Sequence, residues 1–130
     1  MLTQRFIIGQ EDWKVVMLYD ILPEDLPVVY SDLRGEGAWH RMAMDACHVL
    51  EGWNKGYTFS NHDIRSSVVC IGRATTLGQF FDSLLHEIKH LTEHISGHYK
   101  VDPKSEDAAY LQGEIGLQVW PYLARIIKCE

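Results

Sequence analysis

The sequence predicts an α+β domain in which a small, mostly antiparallel sheet packs on one long helix, with one helix before it and one after. Three observations predict this. Trp13 to Ile21 and Ser66 to Ile71 are rich in β-branched and aromatic residues, as strands are. Two later segments carry apolar residues at three- and four-residue spacing, the period of an amphipathic helix. The order is strands, helix, strands and then two helices, without the regular alternation of a parallel α/β fold. A chain of 130 residues fits a single domain, residues 1–130.

Phe6 to Ile8 is a short apolar run ending at Gly9, and Trp13 to Ile21 reads as a strand. Pro23 and Pro27 punctuate an expected loop that continues through Arg34-Gly35-Glu36-Gly37. Trp39, Met42, Ala43, Ala46, Val49 and Leu50 form the apolar face of a helix from Ala38 to Glu51, stopped by Gly52. Lys55 to Ser60 and Ser66 to Ile71 flank the turn-prone Asn61-His62-Asp63 and read as a hairpin or neighbouring antiparallel strands. Thr75 or Thr76 caps a long helix running to about Gly97, with Leu77, Phe81, Leu84, Ile88, Leu91 and Ile95 as its aliphatic stripe. Asp102-Pro103 breaks the chain, Ser105 caps a last helix, and Pro121 kinks that helix or begins another.

Composition narrows the function. With 46% apolar and 23% charged residues the chain is ordinary for a folded protein, which argues against disorder. A net charge of −6 disfavours nucleic acid or an anionic membrane as partner, since both need a basic surface. The longest apolar runs, such as Val15 to Tyr19, are too short to cross a bilayer, and no secretory signal is visible. Cys47, Cys70 and Cys129 are scattered and odd in number, so reduced thiols and a cytoplasmic location are expected. Seven histidines are the notable excess.

Two of them stand in His86-Glu87-Ile88-Lys89-His90, an HExxH on the best helix of the sequence. Residues four apart lie nearly above one another, so both imidazoles can converge on one zinc ion. Glu87, one residue on, can reach metal-bound water as a general base. Chance alone gives the pattern in roughly one such chain in forty, so its placement adds weight: the histidines lie on the opposite side of the helix from the aliphatic stripe. A third protein ligand is expected downstream. His94 would lie roughly 12 Å along the axis from His86, too far for one ion on a straight helix. His98 would need a sharp helix end at Gly97. Glu106 is the better candidate, in the first turn of the last helix where Ala109 and Gly113 allow close approach. Asp107 and Glu114 are weaker rivals.

These residues resemble the zincin metallopeptidases, and in particular the gluzincin branch. His86 and His90 match the two histidine ligands, Glu87 the general base, and Glu106 with Ala109 the downstream Glu-x-x-Ala ligand pattern. The resemblance covers about Thr75 to Tyr110, with Ser66 to Ile71 similar to the edge strand that precedes the metal helix. Small size and the EDAAY segment are also similar to compact HExxH proteins of bacteria, phages and mobile elements, some of which cleave repressors. The metzincin pattern fails, because Glu93 and Ser96 stand where its glycine and third histidine belong. The deformylase pattern fails at Lys89, and the endoribonuclease pattern HxxxHxxxxxH again at Ser96.

The resemblance implies a minimal zincin-like fold and a zinc-dependent metallopeptidase. Zinc would be held by His86, His90 and Glu106, and Glu87 would activate the water that hydrolyses a protein or peptide substrate. Ser66 to Ile71 would hold an extended substrate by β-addition if it were an edge strand. Tyr110, His94, His98 and His62 are candidate stabilisers of the tetrahedral intermediate. Two other readings stand beside this one: an inactive or regulatory zinc-binding domain, and a zinc hydrolase of non-peptide amides. Oligomeric state is left open.

Overall fold

The computed structural model describes residues 1–9 and 12–128, and Cys129 lies outside them. Four strands, β1 (Leu2–Ile8), β2 (Trp13–Ile21), β3 (Gly56–Asn61) and β4 (Ser66–Gly72), form one sheet in the order β1-β2-β4-β3. The β1–β2 and β3–β4 pairs are antiparallel, whereas β2 and β4 run parallel at the centre. The sheet is therefore mixed, with the expected antiparallel pairing on its two flanks. The four long helices are α1 (Leu26–Gly35), α2 (His40–Leu50), α3 (Leu77–His98) and α4 (Glu106–Lys128).

Alternation along the central strands creates a three-layer molecule. Val15, Met17, Tyr19, Val69 and Ile71 point to one face, where Phe80, Leu84, Ile88, Leu91 and Ile95 of α3 and Ile115 and Val119 of α4 cover them. Val16, Leu18, Val68 and Cys70 point to the other, beneath Val29 and Leu33 of α1 and Ala43, Ala46 and Leu50 of α2. Because both of its faces are covered, β4 is buried at every position.

Several sequence expectations need correction. The segment read as a proline-punctuated loop contains a 3₁₀ turn, Pro23–Asp25, followed by α1, so two helices precede the long one. Both prolines sit in first turns, where no intrahelical N–H is needed. Val29 and Leu33, four apart, then anchor α1 to the core. The face of α2 is narrower than its apolar residues implied: Trp39, Met42 and Val49 are exposed. On α3, Phe80 is buried and Phe81 is not. Of the two expectations for Pro121, a new helix is excluded, because the residue lies inside the single element α4.

The helix ends show their causes. Thr76 Oγ1 accepts from Gln79 N at 3.0 Å and caps α3. Ser105 Oγ accepts from Ala108 N at 3.3 Å and caps α4. α3 ends at His98, one residue past Gly97, and a Schellman turn closes it, with Val101 N bonded to Ser96 O at 2.8 Å and Lys100 N to Gly97 O at 3.2 Å. Lys100 takes the left-handed conformation (φ 56°) that such a turn normally assigns to glycine.

Cys47 and Cys70 are free thiols, and burial pushes the Cys70 thiol far above its ordinary pKa. Among the described residues no helix is long and apolar enough to cross a membrane.

Candidate metal centre

α3 buries a wide arc of its circumference, and the arc has three parts. Its middle covers the sheet, one flank carrying Thr92 and Ser96 turns towards α4, and the other carrying Ser83 and Glu87 turns towards β3. His86 and His90 follow on the β3 side at the edge of this arc. Their side chains are 66% and 45% exposed, so solvent and solutes reach them.

The two imidazoles meet. His86 Nε2 and His90 Nε2 lie 3.1 Å apart, with the ring planes at 80°. That separation serves a hydrogen bond between neutral rings. It also matches two nitrogens on one tetrahedral zinc, which stand about 3.3 Å apart when each Zn–N bond is about 2.05 Å. The Nδ1 atom of His90 lies 3.9 Å from Glu93 Oε2, beyond hydrogen-bond distance.

Glu87 is 4% exposed, with its Oε2 3.9 Å from His86 Nε2. It is the one charged residue among the described buried residues. Thr58 Oγ1 donates to its Oε1 at 2.8 Å. Gly56 supplies the remaining room: a Cβ there would lie 2.6 Å from Glu87 Cγ and 2.8 Å from Oε2. A cleft of about 250 Å³ opens beside this carboxylate, between Asn54–Gly56 on one side and Asp82, Ser83 and His86 on the other.

These β3 contacts were not singled out in the sequence, yet a signal for them exists. Gly56, Thr58 and Ser60 alternate along β3 and face α3 with the period of two that a strand requires. Ser60 Oγ bonds His94 Nδ1 at 2.7 Å and Ser67 Oγ at 2.7 Å, and Trp13 Nε1 donates to Ser67 Oγ at 2.9 Å. Burial lowers the pKa of His94, and the neighbouring His90 and His62 lower it further. Its ring stands 6.4 Å from that of His90.

The other expected site residues lie elsewhere. α4 packs beside α3 with its first turns near Ile95, Ser96 and Tyr99 and its last turns near Leu77 and Phe81. Glu106 therefore stands at the far end of α3, roughly 13 Å along the axis from the middle of the HExxH. Among the described residues no three His, Cys, Asp or Glu side chains form a metal-binding group, so Glu106 is not brought to the histidine pair. Tyr110 and Asp107 line the same distant region. His62 and His98 pair with each other, their Nδ1 atoms 3.2 Å apart, against the edge of Trp13. Ser66–Gly72 is not an edge strand, because β3 covers it, and the sheet edge beside the HExxH is β3 itself.

His86, Glu87 and His90 thus stand together on α3 beside β3, while Glu106 stands apart from them. Compared with known protein families, characterised proteins and solved structures, the chain matches none.

Proposed function

We propose that this protein is a zinc-dependent metallopeptidase that holds its ion through His86 and His90 and uses Glu87 as general base. The observation that carries the reading is the convergence of the two Nε2 atoms at 3.1 Å beside a buried carboxylate. Zinc in such a place supplies Lewis acidity towards a carbonyl and lowers the pKa of a coordinated water. The chain supplies the rest. Glu87 takes a proton at its carboxylate and returns it to the leaving amine, and the Thr58 hydroxyl at 2.8 Å fixes its orientation. β3 pairs on one side only, and an extended peptide laid along its open edge would pass beside Glu87.

Zinc analysis and a mixed peptide library read by mass spectrometry test the proposal. The parent protein should retain about one zinc per chain, and His86→Ala with His90→Ala should lose it. Glu87→Gln should keep the metal and lose hydrolysis. A parent protein that takes up no zinc on titration overturns the reading. Retained zinc without cleavage of any peptide would overturn the hydrolytic part of the reading and leave a regulatory zinc-binding domain.

A further inference from the structure

A second cleft lies away from the HExxH, where the end of α3 and the start of α4 diverge under Gly9. It measures about 520 Å³, room for a small organic molecule. Its α4 wall carries Asp107, Tyr110, Leu111 and Glu114, one face at i, i+3, i+4 and i+7.

Two hydroxyls at this cleft lack partners. Ser96 is 2% exposed, and neither its Oγ nor the buried Tyr99 Oη makes a hydrogen bond among the described residues. A buried helical serine normally returns its proton to the carbonyl four residues back, as Thr92 does to Ile88 O at 2.8 Å one turn earlier. Ser96 does not. Leaving such groups unpaired is costly, so each is a place where a bound molecule can complete the bonding.

The remaining chemistry selects the ligand. Asp107 and Glu114 are acceptors, and no Lys, Arg or His is among the lining residues. Glu114 Oε1 already accepts from Gly9 N at 3.0 Å, and its carboxylate keeps further acceptor capacity. Apolar side chains and two tyrosine rings form the walls. A ligand suited to this place brings positive charge, several N–H donors and a short apolar stem. We propose that the cleft between the end of α3 and the start of α4 binds an organic cation, an alkyl-ammonium or guanidinium group. The group belongs either to a free amine or to a lysine or arginine side chain of another polypeptide.

Calorimetric titration of the full chain with agmatine, and separately with a short blocked peptide containing one arginine, tests this and identifies the source. Saturable one-site binding of either probe is expected, with amide shifts at Ser96, Tyr99 and Asp107 in NMR spectra. Asp107→Asn, an exposed substitution, should weaken it about tenfold or more, and Ser96→Ala should weaken it as well. The same peptide with citrulline in place of arginine should bind more weakly. The His86→Ala, His90→Ala protein should bind as the parent does, which separates this cleft from the metal centre. No saturable binding of either probe would mean that water alone completes the two hydroxyls, and the proposal would fall. It would also fall if Asp107→Asn bound like the parent, or if the histidine variant lost binding.

Discussion

Thr58 and Gly56 hold Glu87 from one side, the first by a hydrogen bond and the second by having no side chain. Thr58→Val keeps the shape of the residue and removes the donor to a buried carboxylate. The expected loss is about 1.5–3 kcal/mol of stability, the range for a hydrogen bond to a charged group, read from the urea midpoint. His94 gives a pH dependence with a definite sign. Its ordinary pKa of 6.5 is lowered in the fold, by burial first and by His90 and His62 second. The unfolded chain therefore binds the proton more readily, and stability present above the ordinary pKa is lost as pH falls through it towards the folded value. Urea midpoints of metal-free protein should decline below about pH 6.5, and His94→Gln should flatten the decline.

At the scale of elements, the end of α3 holds a correctable strain. Lys100 occupies the left-handed position of a Schellman turn, and glycine there has no Cβ to clash. Lys100→Gly should raise stability by roughly 0.5–1 kcal/mol, since relief of the left-handed strain exceeds the added freedom of the unfolded chain; thermal or urea denaturation reads it. Elements also show what a sequence discloses. The caps at Thr76 and Ser105 were legible because each satisfies a local rule about orphan N–H groups. α1 was not legible, because Pro23 and Pro27 look the same in a loop as in the first turn of a helix. His86, Glu87 and His90 were legible together because one helix fixes their spacing. Glu106 stands apart from the pair because the short connection after α3 sets the start of α4 beside the end of α3, a constraint that the spacing within one helix does not express. Thr58 and Gly56 were overlooked for the same reason: their partner is 29 residues or more along the chain.

At the scale of the whole molecule, β2 and β4 belong to both cores at once, their alternate side chains filling opposite faces. Damage to one face should therefore be felt by the other. Leu50→Ala, on the α1–α2 side, should cost about 2–5 kcal/mol. Loss of far-UV circular dichroism and the change in fluorescence of Trp13, on the α3–α4 side, should still coincide in one transition. Two separated transitions would show that the faces melt independently.

Glu87 has a further consequence, for the balance between folding and activity. A carboxylate that is 4% exposed weakens the fold, because an uncharged side chain of the same shape would cost less to bury. Glu87→Gln retains an oxygen for Thr58 and removes the charge, so the metal-free variant should melt at a higher temperature than the parent. Such a gain would mark Glu87 as a residue kept at the expense of stability, which is what a working group is and a structural one is not. A lower melting temperature would assign the carboxylate to the architecture instead, and would do so without any knowledge of the substrate.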